Sequence, residues 1–363
     1  MEKIAFIKAG GFSHINDNVF LLLQREFPEN PIVTFDILDL VKLDINDLYY
    51  SVKQYGKDIA LGRKRLINCM RRNTHYFQKV KQTIADHLSK ENYLITFQTQ
   101  SLFDASVPNI PHFIYTDHTH LANLYYPGYS KKNLYSNEWI QLEKSIYDNA
   151  SAIFSMSSNI SKSLVEQYGC EPNRVICAHA GSNTNLINFN SAKYKNKNIL
   201  FVGLDWERKG GPFLVKAFNR IIRSHNDASL TIVGCSPNLR LPNCNVVGKV
   251  KLEAVPSFYE NASVFCLQPS IEPFGIVFLE AASHKLPLIG TNIGAMPDFI
   301  INNYNGYLID PGDEDQLFVS LNTLLSNPQQ CENFGRNSYR IFETNYTWER
   351  TGNRIKRAIM TFL

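Results

Sequence analysis

The 363-residue chain contains no apolar run approaching the ~20 residues that a membrane-spanning helix requires, which excludes insertion into a bilayer as a reading. Its seven cysteines form no C-x-x-C pair and no zinc spacing, and an odd number of them suits reduced thiols in a cytoplasm. A net charge of +4 is too mild to indicate nucleic acid by itself. Low-complexity segments, short repeats and a disordered tail are also missing, and Met1-Glu2-Lys3 runs straight into a strand, which leaves no signal peptide. These absences predict a globular cytoplasmic protein, at most peripheral on the inner face of a membrane.

What is present is length enough for two cores, and short apolar runs alternating with helical patterns. Lys3 to Ala9, Pro31 to Leu38, Tyr93 to Phe97, His112 to Thr116, Ala152 to Ser155 and Arg174 to Cys177 read as strands of a first domain, residues 1–180. Residues 181–197 are polar and without periodicity, and predict a linker. A fresh alternation opens at Ile199-Leu200-Phe201-Val202-Gly203 and defines a second domain to residue 345, followed by a last helix over 346–363. Continuous apolar strands between helices predict an α/β architecture of parallel sheets covered on both faces, with ligands at the C-terminal ends of the strands.

Charge is unevenly spread. Lys53, Lys57, Arg63, Lys64, Arg65, Arg71, Arg72, Lys79, Lys81 and Lys90 face only Asp58 and Asp86 between positions 53 and 90. Two readings fit this basic segment: a solvated helix surface, or docking to an anionic membrane or a phosphorylated acceptor.

The most informative stretch is Ser270-Ile271-Glu272-Pro273-Phe274-Gly275-Ile276-Val277-Phe278-Leu279-Glu280. Its Pro-Phe-Gly turn leads into an apolar helix and leaves the N–H groups of Gly275, Ile276 and Val277 at a helix start, where a phosphate can take them up. Glu272 lies in the loop beside that anion site, and Glu280 about two turns into the helix. One carboxylate can meet a sugar hydroxyl near the phosphates and the other a ribose hydroxyl, an arrangement suited to a nucleotide sugar. An ordinary helix start with an unrelated surface acid reads equally well from the chemistry alone. Arg208-Lys209-Gly210 after the first strand of the second domain places two cations at another helix start, fit to clamp a diphosphate. Gly10-Gly11 ends the first strand, where glycine permits close backbone approach. Asp117-His118-Thr119-His120 ends the strand His112 to Thr116; its histidines face one way, as a metal pair would, but no third ligand is near. Asp313-Glu314-Asp315 has the D-x-D form of a manganese site, yet it opens a helix whose dipole first-turn acids complement. No metal site is assigned.

The run from Glu272 to Glu280, with His284 to Thr291, Gly294 and Asn305-Gly306-Tyr307-Leu308-Ile309 behind it, resembles the E-x7-E signature and downstream pattern of retaining glycosyltransferases of family four. The likeness is fullest over residues 198–350 and thinner over 1–180. It implies the GT-B fold: two Rossmann-like domains facing across a cleft, with a C-terminal helix crossing back to the first. It also implies a nucleoside-diphosphate sugar as donor, an acceptor glycan, lipid or small molecule, and neither metal nor cofactor.

By the same resemblance Glu272, Lys209 and His118 are the catalytic candidates. Arg208, Phe274, Gly275, Ile276, Val277, Glu280, Gly10, Gly11, Asp117 and His120 contact substrate, and Val250 lies in a G-x-V loop near the nucleobase. The segment Gly203 to Gly210 departs from the family pattern at Leu204, where arginine is usual; Arg208 is a candidate for the missing charge. Two other functions remain open, a nucleotide-sugar epimerase or hydrolase on the same frame and a donor-binding subunit without catalysis.

Overall fold

The computed structural model describes residues 2–184 and 188–363, and these divide into two units. The first comprises the described residues of 2–124, 128–179 and 351–363, and the second those of 125–127, 180–184 and 188–350.

In the first unit β1 (Lys3–Lys8), β2 (Ile32–Asp36), β3 (Tyr93–Thr99), β4 (His112–Thr116), β5 (Ala152–Ser155) and β6 (Val175–Cys177) form one parallel sheet, ordered β2-β1-β3-β4-β5-β6. Its central strands are apolar on both sides: Ile4, Ile7, Ile95, Phe97, Phe113, Tyr115 and Phe154 are fully buried, as a sheet covered by helices on both faces demands. The second strand is shorter than its apolar run suggests. Asp36 ends it, because its carboxylate accepts from Leu38 N–H at 3.0 Å and caps the short helix Ile37–Leu40.

The second unit repeats the plan with β7 (Asn198–Val202), β8 (Ser229–Val233), β9 (Cys244–Gly248), β10 (Val264–Cys266), β11 (Leu288–Thr291) and β12 (Gly306–Ile309), ordered β12-β11-β10-β7-β8-β9 and parallel throughout. The order reverses between β7 and β10, since the chain leaves β7 toward one edge and returns to lay β10 on its other side. Loops following two such strands diverge to opposite faces and leave a crevice between them, the usual ligand site of an open parallel sheet.

The polar stretch read as a linker is folded into the second unit at its described positions; residues 185–187 of that stretch lie outside the described residues. Lys193 is buried with Nζ donating to His284 O at 2.7 Å, and Tyr194 OH donates to Lys285 O at 2.6 Å. Their polar tips sit on apolar stems, so a sequence window records them as polar. The last helix, Trp348–Ile359, starts in the second unit, where Trp348 Nε1 donates to Ser182 O at 3.0 Å, and ends in the first. There Ile355 and Ile359 are fully buried and Arg354 donates to Ala178 O at 3.2 Å.

Candidate donor site in the second unit

The two loops at the β7/β10 reversal are stitched together by their own backbones. Gln268 N–H donates to Lys209 O at 3.2 Å and Ser270 N–H to Arg208 O at 2.9 Å. Between them Gly210 has φ 80°, and a Cβ there would land on the Gln268 carbonyl oxygen, so only glycine allows this approach. Trp206 packs on Phe201 with ring centroids 5.0 Å apart and against Gly211, fixing the start of helix Gly211–Ser224.

That stitching places Lys209 Nζ directly on Glu272 Oε2 in a buried ion pair. Arg208 Nη1 donates to Ile271 O at 2.7 Å and lies 3.6 Å from the same carboxylate. Two cations therefore converge on one acid beside the loop of β10. Leu204, where the resemblance expects arginine, is 75 % exposed.

Glu272 leads through Pro273 and Phe274 to helix Ile276–Ser283, whose N-cap Gly275 has φ 80° and provides no side-chain cap. A Cβ on Gly275 would meet Met296 Cε at 2.6 Å and Glu272 Cγ at 3.2 Å. Among the described residues no acceptor is recorded for the N–H groups of Gly275, Ile276 and Val277, so the helix dipole is open where Glu272 and Lys209 meet. Phe274 is not free to touch a ligand broadly: it is buried and packs edge-on against Phe299, centroids 6.0 Å apart, and so anchors the turn.

Glu280 points inward from the same helix and is nearly buried. Tyr259 OH donates to its Oε2 at 2.8 Å. Burial raises its pKa to about 7, and the bonds from Tyr259 and Asn183 oppose that rise. Tyr259 carries no sequence signal that would have paired it with Glu280. Val250 is half-buried just past Gly248, which ends β9 with φ 79°. Asp313 accepts from Gln316 N–H at 2.8 Å and caps helix Glu314–Ser326, while Glu314 pairs with Lys216 and Asp315 with Arg220, so the D-x-D acids are committed to the helix start.

The site residues expected in the first unit separate into two groups. Gly10, with φ 68°, donates its N–H to Asp36 Oδ1 at 2.9 Å, and a Cβ would stand 2.7 Å from Leu38 Cδ1; its amide is taken by the turn and not left for a phosphate. Gly11 has open space on its Cβ side. His120 is likewise structural: its Nε2 accepts from Tyr135 N–H at 2.7 Å and its own N–H donates to Glu143 Oε1 at 2.9 Å. With that lone pair occupied, the His118/His120 metal pair has no chemistry. His118 follows Asp117, which is half-buried at the end of β4. The His118 Nε2 lies 3.1 Å from Asn123 Nδ2, an amide donor, which leaves the proton on Nδ1, buried and without a partner among the described residues. Burial lowers its pKa to about 4, so the ring is neutral near pH 7. Asp44, Asp47 and His75 are the cluster of metal-ligand type among the described residues, but Lys79 Nζ already sits 2.6 Å from Asp44 and 3.0 Å from Asp47.

Residues 183–341 match the family Glycosyl transferases group 1. The chain is 29 % identical over 178 residues to spore coat protein SA of Bacillus subtilis, a match covering 44 % of this chain and 47 % of that one. It spans about half the length of the curated relatives it matches. Among solved structures, sucrose-phosphate synthase from Thermosynechococcus elongatus is similar over 100 % of this chain and 99 % of its own, with TM-score 0.73 and 17 % identity. Anabaena HepE, solved in complex with UDP and glucose, matches over 99 % and 100 % with TM-score 0.67 and 14 % identity. The fold is thus GT-B, two Rossmann-like α/β units, and the match to Glycosyl transferases group 1 falls within the second unit.

Proposed function

We propose that the protein is a retaining glycosyltransferase that moves a sugar from a nucleoside diphosphate to an acceptor hydroxyl without a metal ion. The observation that carries this reading is the convergence of Lys209, Arg208 and Glu272 on the open helix start at Gly275–Val277. Cations and unpaired N–H groups stabilise the charge that grows on a departing diphosphate. The bond from the anomeric carbon to the diphosphate oxygen breaks, and the bond to the acceptor oxygen forms on the same face. The acceptor proton passes to an oxygen of the departing diphosphate. Glu272 orients the sugar through a hydroxyl, Glu280 receives the ribose, Val250 lies by the base, and neutral His118 offers a hydrogen bond rather than a charge. The relatives and the UDP and glucose held by HepE support this reading. A donor-binding subunit without turnover is the second reading, favoured by the exposed leucine at 204. Purified protein given a panel of nucleotide sugars separates them: a transferase consumes its donor when acceptor is added and only slowly without it, an epimerase or hydrolase consumes it regardless, and a subunit consumes none.

The ribose role of Glu280 has a pH signature. With its pKa near 7 in the ligand-free protein, the carboxyl is mostly neutral at pH 6 and mostly ionised at pH 8. A ribose hydroxyl donating to it competes with the proton, so nucleoside-diphosphate affinity strengthens with rising pH over that interval, by up to about tenfold. Titration calorimetry at both pH values should show this component in the wild type and not in Glu280→Gln, where only the protonation of the diphosphate itself remains. Identical profiles in the two proteins would remove Glu280 from the ribose site.

A further inference from the structure

The basic segment between Lys53 and Lys90 is sorted by its ion pairs. Arg63 and Lys64 pair with Asp58, Lys79 with Asp44 and Asp47, and Lys81 with Asp104. Lys53, Lys57, Arg65, Arg71, Arg72 and Lys90 have no acid partner among the described residues, and of these Arg71 and Arg72 line one cavity of about 190 Å³. Its floor is the C-terminal side of the first sheet: Ala9 follows β1, Leu38 follows β2, and Leu102 and Phe103 follow β3. The strand order β2-β1-β3-β4-β5-β6 reverses between β1 and β3, so the cavity occupies the crevice that this topology opens, independently of the donor site in the other unit.

The arginines are held in place. They stand in the short connection between helices Leu66–Met70 and Thr74–Leu88. Buried Asn73 pins that connection: its Oδ1 accepts from Tyr76 N–H at 2.8 Å, and its Nδ2 donates to Asp47 O, Ser51 Oγ and Met70 O, each at 3.0 Å. The Arg72 guanidinium lies 4.9 Å from the centre of the Tyr135 ring and 5.9 Å from that of Trp139. Arg71 is exposed at the rim. Arg72 also helps to hold His118 and His120 neutral by repulsion, so its positive field reaches that cluster. An uncompensated pair of guanidiniums, beside apolar Leu38, Leu102 and Phe103, suits a ligand with an oxyanion head and an apolar or stacking body. The volume is below the roughly 300–1,000 Å³ of a pocket for a whole drug-sized molecule, so it admits a headgroup.

We propose that this cavity binds the phosphate group of the acceptor, through Arg71 and Arg72. The proposal rests on the glycosyltransferase reading for the word acceptor; the phosphate site itself does not. Shared phosphate chemistry leaves two sources, a water-soluble phosphate ester and a phospholipid headgroup, and the test separates them.

Full-length protein is titrated with phenyl phosphate while a nucleoside diphosphate saturates the second unit, so that the donor site cannot take up the probe. Wild type should bind. Arg71→Ala, an exposed position, should weaken binding about tenfold or more, the loss of one charge-assisted hydrogen bond. Leu102→Trp, which fills the cavity, should abolish it, and nucleotide affinity should stay within about twofold in both. A flat wild-type titration, or variants that bind like wild type, would overturn the proposal. Phosphatidylglycerol vesicles form the second arm: retention lost in the same variants assigns a lipid acceptor, and binding of the soluble ester alone assigns a soluble one. If wild type binds phenyl phosphate but no nucleoside diphosphate, the transferase reading fails while the phosphate site stands.

Discussion

Lys209→Ala should lower donor turnover by about 10²–10³-fold, the range found when one charge-stabilising donor is removed from a reacting oxyanion. The structure adds a second consequence. Lys209 is the closest cation to buried Glu272, with Arg208 3.6 Å away, so the variant leaves the carboxylate under-compensated in a site shielded from water. Without that partner the Glu272 side chain would lose the contact that fixes its orientation, and its grip on a sugar hydroxyl would weaken. Lys209 and Glu272 act as one unit, so Lys209→Ala combined with Glu272→Gln should cost far less than the product of the single losses. Steady-state rates of the two single variants and the double variant test this. Independent, multiplying effects would mean that the pair is only a packing device.

The second large effect is expected at Gly210. Alanine there must adopt φ near 80° and drive its Cβ into the Gln268 carbonyl. Both elements are backbone, so neither yields by a rotamer change. The loops after β7 and β10 would have to part, at a cost of about 3–5 kcal/mol, the range of a severe backbone clash. Parting them separates Lys209 from Glu272, so nucleotide affinity should fall with stability. Gly11→Ala is the contrast: its φ is not in the left-handed region and nothing lies within 4 Å of the added methyl, so stability should change by no more than about 0.5 kcal/mol. Urea unfolding followed by tryptophan fluorescence, with nucleotide titration of the same samples, measures both. Equal behaviour of the two variants would contradict the close approach at Gly210.

Much of this fold was legible in the chain because its physics is local. Strands such as Ile4–Ile7 and Phe113–Tyr115 are apolar on both faces, so each shows as an uninterrupted run between helical patterns. The helix starts at Gly210 and Gly275 were visible as glycine-bearing turns after strands. The pairing of Lys209 with Glu272 was not visible, although each residue stood out alone. They are 63 positions apart, and their contact depends on β7 and β10 being neighbours, which follows from where the intervening strands go. His120 is deceptive for the opposite reason. A histidine at a strand end looks ready for a ligand, but the Tyr135 N–H that occupies its ring nitrogen belongs to a segment with no telling pattern. The stretch 181–197 lost its buried character to the polar tips of Lys193 and Tyr194. Arg71 and Arg72 stand within a basic run, and only the cavity they line together sets them apart from its other unpaired cations.

Crystals grown with each common nucleoside-diphosphate sugar show whether a diphosphate seats on the start of helix Ile276–Ser283. The expected density places the diphosphate on the N–H groups of Gly275, Ile276 and Val277, with Lys209 Nζ turned toward it from Glu272 and the ribose against Glu280. A nucleotide seated elsewhere in the second unit, with the Lys209–Glu272 pair unbroken and those amides facing solvent, would contradict it.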